Sequence, residues 1–87
     1  MNLKEGKDKI LEMLTSKDLE LRKLAIDYIK NNYDIDIIVP FFAEVIGYYE
    51  LNQIQTAEWQ LNCIREEYVP KFMIENLINA IIEHNKL

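Results

Sequence analysis

His84 and Cys63 are the single histidine and the single cysteine of the sequence. A thiolate beside an imidazole base would make a nucleophilic pair if the fold brought the two together. A general base needs a positioned partner and a pocket. His84 stands instead between Glu83 and Asn85 in the last turn of a C-terminal helix, where the helix dipole favours a cation. We read it as a surface helix end. Cys63 lies among Leu61, Asn62 and Ile64, with Arg65 two residues on. Reactive thiolates need an electropositive, accessible site, and a helical cysteine with no histidine nearby in sequence reads as a small packing residue. The carboxylates come in pairs, Asp34/Asp36 and Glu66/Glu67. Asp34-Ile35-Asp36 has the spacing that opens a Ca²⁺ loop, but the glycine and the distal glutamate are missing. Glu66 and Glu67 point from different faces of a helix. Helix capping and a solvated surface account for both pairs. No Gly-rich phosphate loop, HExxH or nucleophile elbow occurs. No catalytic residue, metal or cofactor is expected.

The aromatic residues carry more. Trp59 shares a helical face with Gln55, Asn62 and Glu66, off the apolar stripe of Ala57, Leu61 and Ile64. Tyr48 and Tyr49 fall at the turn before it, next to Glu50. Trp and Tyr are enriched where proteins bind, because a large ring desolvates well and keeps a useful polar edge. Two readings stand: an exposed contact surface, or a rim residue packed on a neighbouring helix. In the first, Trp59, Tyr48 and Tyr49 anchor a partner while Glu50, Glu58 and Glu66 steer it. Phe41, Phe42 and Phe72 are assigned to the core.

The elements that must position these residues follow a period of 3.6. Ile10, Leu11 and Leu14 share one face. Leu21, Leu24, Ala25, Tyr28 and Ile29 form a second stripe, Ile54, Ala57, Leu61, Ile64 and Tyr68 a third, and Ile74, Leu77, Ile78, Ile81 and Ile82 a fourth. Thr15 or Ser16 is placed to cap a helix with Asp18 and Glu20 in its first turn, and Pro70 suits the first position of the last helix. Around Pro40 two readings stay open. Residues 34–39 form a partly extended lead-in, because the residue before proline avoids the α region, or Asp36 caps a helix that absorbs Pro40 in its first turn. Helices are expected near 2–14, 17–32, 37–47, 50–67 and 70–86, with Gly47 ending the third. The fold class is all-α, about five antiparallel helices stacked as hairpins in one domain, residues 1–87.

Composition bounds the rest. With 49% hydrophobic and 29% charged residues the chain has the profile of a folded protein. One cysteine excludes an internal disulfide framework. No apolar run approaches the ~20 residues of a membrane span, and no secretory signal is visible, so a cytoplasmic, non-membrane protein is expected. Ten Lys/Arg against fifteen Asp/Glu give −5. Residues 1–30 carry +1 and residues 31–87 carry −6, a field that repels phosphate. Nucleic acid is not an expected partner, whereas a basic protein is.

A shift of 32 lays Glu12 on Glu44, Leu14 on Ile46, Leu19 on Leu51, Ala25 on Ala57 and Ile29 on Leu61. The stretch from Leu14 to Ile26, LTSKDLELRKLAI, resembles the turn and second helix of a HEAT repeat, with Asp18, Arg22 and Ala25 at the Asp, Arg and Ala positions of that motif. The resemblance implies stacked helix pairs whose exposed surface binds other proteins. The second unit has Ile54 where the Arg belongs and no Asp after the turn.

The expected function is a non-enzymatic helical interaction module presenting an acidic, Tyr/Trp-bearing face to a protein. One alternative is a small acidic inhibitor that blocks a basic active site. Another is a self-associating protein, a homodimer through the broadly apolar helix 70–86.

Overall fold

A computed structural model describes residue 3, residues 5–41 and residues 53–86. Four helices and one two-stranded antiparallel ribbon make up these residues, in the order α1 (Lys7–Leu14), α2 (Leu19–Asn32), β1 (Ile38–Phe41), β2 (Gln53–Thr56), α3 (Ala57–Glu66) and α4 (Lys71–His84). The fold is mostly helical, but it is not the five-helix stack expected from periodicity. None of the described helices is long and apolar enough to cross a membrane.

The correction falls in the middle of the chain. Residues 38–41, expected in a helix over 37–47, are a strand, and so are residues 53–56, expected in a helix over 50–67. Both have local causes. Ile37, Ile38, Val39 and Phe41 are β-branched or aromatic, and Pro40 drives Val39 out of the α region. In Gln53-Ile54-Gln55-Thr56 the β-branched Ile54 and Thr56 stand at alternate positions and favour a strand. The partly extended reading of the lead-in to Pro40 is the one the structure adopts. Gly47, the expected end of the third helix, lies outside the described residues, as do Phe42 and Leu51.

The ribbon register pairs Ile38 with Thr56, Val39 with Gln55, Pro40 with Ile54 and Phe41 with Gln53. The Ala57 amide donates to the Ile37 carbonyl at 2.9 Å, which fixes the phase of the ladder. Antiparallel pairs alternate between hydrogen-bonded and non-hydrogen-bonded, so Val39/Gln55 exchange ladder bonds while Ile38/Thr56 and Pro40/Ile54 do not. Proline therefore sits at a position whose nitrogen faces away from β2, where its missing N–H leaves the ladder intact.

Helix ends are set by side chains. Asp18, rather than Thr15 or Ser16, caps α2, accepting from the Glu20 amide at 3.0 Å, and the Ser16 hydroxyl accepts from the Asp18 amide at 3.0 Å. Thr56 caps α3 by accepting from the Trp59 amide at 3.2 Å, so the helix starts where the strand stops. Pro70 stands at the N-cap of α4, one residue before its expected place.

The core is built from the faces that the four helices turn inward: Ile10, Leu11 and Leu14 of α1; Ala25, Ile26 and Ile29 of α2; Ala57, Leu61 and Ile64 of α3; and Met73, Ile74, Leu77, Ile78 and Ile81 of α4. Leu3, Val39 and Val69 complete it. Each of these side chains larger than alanine contributes roughly 1.5–3 kcal/mol by leaving water. Three expectations are corrected. The buried face of α2 runs through Arg22, Ala25, Ile26 and Ile29, so Leu21 and Leu24 of the expected stripe are exposed. Ile54 and Tyr68 leave the third stripe for solvent. Phe72 is 52% exposed rather than core.

Arg22 replaces a leucine-type contact with a polar tie. Its Nε donates to the Ile64 carbonyl at 3.0 Å and its Nη1 to the Ser16 and Lys17 carbonyls at 3.0 and 3.2 Å, with Arg65 O at 3.5 Å from Nη2. One buried guanidinium thus satisfies carbonyls at the end of α3 and in the α1–α2 turn, groups that helix ends and turns otherwise leave unpaired.

Candidate functional site

Strand geometry decides what the ribbon shows to solvent. Successive side chains alternate between faces, and Val39 is buried while Ile38, Pro40, Ile54 and Thr56 are exposed. Ile38 is 69% and Ile54 67% exposed. Both belong to close, non-hydrogen-bonded cross-strand pairs, in which facing side chains stand nearest. The inner face is held down from below. Buried Gln60 donates from Nε2 to the Val39 carbonyl at 3.0 Å, tying β1 to α3.

Trp59 lies in the first turn of α3, directly after β2, and is 39% exposed. Its ring is therefore neither core nor fully solvated, a middle case between the two sequence readings. Glu58 beside it is exposed, in the first helical turn where the dipole favours a carboxylate. Glu66 is exposed at the opposite end of α3 and pairs with Arg65 at 3.1 Å. Tyr48, Tyr49 and Glu50 lie outside the described residues. Of the six residues expected to bind a partner, the structure places Trp59 and Glu58 together and Glu66 apart.

The residues with catalytic chemistry are separated. Cys63 is half-buried and lines a space of only about 10 Å³ between α3 and α4, beside Ile64, Met73, Ile74 and Leu77; that is room for about one water. Burial, and secondarily the Glu67 carboxylate, push its thiol above the usual value, the opposite of an activated nucleophile. His84 lies two turns beyond Leu77 on α4, and its Nε2 is 3.0 Å from an Asp34 carboxylate oxygen. The Asp34 carboxyl is held below its ordinary value by the Asp36 amide, which donates to it at 2.9 Å, and then by His84. Asn85 completes this latch: its side-chain amide accepts from the Asp34 N–H and donates to the Asp34 carbonyl, both at 2.8 Å. The end of α4 is thereby fastened to the segment that leads into β1. Among the described residues no cluster of three or more His, Cys, Asp or Glu is arranged to hold a metal ion.

Two signals in the sequence point to the ribbon and escape a helix-period reading. One is the pair of β-branched residues at alternate positions, Ile54 and Thr56. The other is charge: residues 31–64 contain Asp34, Asp36, Glu44, Glu50 and Glu58 but no Lys or Arg. This stretch carries −5, the whole net charge of the chain, and the other 53 residues balance ten acidic against ten basic groups.

No family model, characterised protein or solved structure matches this chain.

Proposed function

We propose that the chain is a non-enzymatic protein-binding module that offers an acidic, aromatic-bearing surface to a protein partner. The observation that carries this reading is the outer face of the ribbon, where Ile38 and Ile54 stay two-thirds in solvent inside the segment that holds the net charge. Large apolar side chains rimmed by like charge are a feature of protein contact surfaces. Trp59 adds an anchor at the strand–helix junction and Glu58 a steering charge beside it; the sequence adds Tyr48, Tyr49, Glu50 and Glu66 as candidate contact residues. The separation of Cys63 from His84 supports a binding role over turnover. The HEAT-like reading belongs to the first unit, where Asp18 caps α2, Arg22 ties it to the end of α3 and Ala25 is fully buried.

The concentration of charge in residues 31–64 favours one narrower version, a small acidic inhibitor seated on a basic active site. Its association rate would fall steeply with added salt. Self-association through residues 70–86 has less surface to use, because Met73, Ile74, Leu77, Ile78 and Ile81 are buried within the chain itself. Basic protein partners fit the acidic field better than nucleic acid or an anionic membrane surface.

Affinity capture from cells tests the reading, with the unaltered chain compared against an Ile38→Thr/Ile54→Thr double variant and against Trp59→Ala. A partner retained by the unaltered chain and lost by variants that still melt cooperatively is the expected result. If every captured protein ignores both variants, this surface is not the binding face.

A further inference from the structure

We propose that β2 is a docking edge, to which an extended segment of the partner protein, apolar at alternate positions and flanked by Lys or Arg, adds as a third strand. This inference rests on the protein-binding reading above and names the partner's chemistry. The two edges of the ribbon are not equivalent. On β1 the groups directed outward are those of Ile38 and Pro40, and Pro40 has no N–H to give, so that edge is blunted in the way natural sheets blunt theirs. On β2 the outward-directed groups include the Ile54 N–H and C=O and the Thr56 N–H, and no third strand pairs with β2 among the described residues. A strand added there would align its own alternate side chains with Ile54, which is already exposed on the outer face. Main-chain bonds then supply affinity and alternate side chains supply specificity.

Charge selects the occupant. Residues 31–64 hold five carboxylates and no cation, and the carboxylates of Asp36 and Glu58 flank the Ile38/Thr56 end of the ribbon in sequence. A second copy would bring its own Asp36 and Glu58 and the same cation-free segment to the joint, and like charges set against each other suppress a pairing. A basic segment neutralises them.

The probe is the amidated octapeptide Lys-Lys-Val-Thr-Val-Thr-Lys-Lys, titrated into the full chain and followed by amide chemical shifts. It is compared with the peptide carrying Glu in place of every Lys, and with two forms methylated on nitrogen, one at the Val and one at the Thr positions. Because only alternate amides of an added strand face β2, one methylated form should lose about tenfold or more in affinity and the other far less. The Glu peptide should not bind. Ile54→Pro removes the outward N–H without touching a ladder bond, as Pro40 does on the other strand, and should weaken the Lys peptide by about tenfold with the melting transition retained. Ile54→Thr, which keeps the N–H, should weaken it much less.

Equal binding by both methylated forms, or equal loss by both, would overturn strand addition. So would a peptide that binds Ile54→Pro unchanged. If sedimentation shows the chain pairing with itself and Ile54→Pro abolishing that pairing, the edge serves a second copy and the basic-partner assignment fails. If the Lys peptide does not bind, this inference is lost, while the capture experiment with Ile38→Thr/Ile54→Thr judges the protein-binding reading separately.

Discussion

α4 and the ribbon use the same residue type for opposite ends. Ile74, Ile78 and Ile81 of α4 are essentially sealed from solvent, whereas Ile38 and Ile54 of the ribbon keep two-thirds of their surface in it. The difference lies in the number of neighbours each element can recruit. A helix in this fold turns one stripe to its two neighbouring helices and solvates the remainder. A ribbon has two faces, and here only the Val39 face has α3 beneath it, through Gln60. Isoleucine on the other face adds strand preference without burial. The helical part of the molecule spends its apolar residues on stability, and the ribbon keeps some of its own in contact with water.

That contrast can be broken or sharpened by substitution. Ile78→Ala, in the sealed face of α4, should lower unfolding free energy by about 2–5 kcal/mol in urea titration; a small effect would mean the core is looser than its burial implies. Arg22→Ala removes the guanidinium that seats the end of α3 on the α1–α2 turn, and should cost about 2–3 kcal/mol, with Arg22→Lys restoring little because a single ammonium cannot fork to both sites. Thr56→Ala removes the cap at the strand–helix junction and should cost about 1 kcal/mol, read from the shift in melting temperature. Ile38→Thr and Ile54→Thr should each stay within about 0.5 kcal/mol of the parent. A loss comparable to that of Ile78→Ala would place the ribbon in the core after all. The slightest effect belongs to the latch. The folded Asp34 carboxyl titrates below the ordinary value of 3.8, so its contribution is present above that value and is lost as pH falls through the lower, folded one. Asp34→Asn should flatten the acid side of the stability–pH curve, and an unchanged slope would show that the latch carries no weight.

The helical part was legible because its signal is redundant. Ile10, Leu11 and Leu14, or Ile74, Leu77, Ile78 and Ile81, repeat the helical period over several turns, and all of them are buried. The ribbon was not, because each strand is four residues long and Ile54 fits a helix stripe with Ala57 and Leu61 as readily as it fits a strand. Pairing between β1 and β2 joins residues 12 to 18 positions apart, which no local period reports. Leu24 misled for another reason: Arg22 takes the inward position on α2 by hydrogen-bonding to carbonyls 42 and 43 residues away, and the apolar stripe rotates to accommodate it. At the candidate site, Trp59 and Glu58 were singled out by residue type and helical spacing, while Ile38 and Ile54 needed the fold to show which way they face.

The reach of Arg22 also bears on how the chain matures. Its Nη1 is satisfied by the Ser16 and Lys17 carbonyls of the α1–α2 turn, but its Nε bonds the Ile64 carbonyl at the end of α3, so a detached α1–α2 hairpin would leave that side of the cation to water. Docking of α3 on the N-terminal pair thus completes a bond that neither part can make alone.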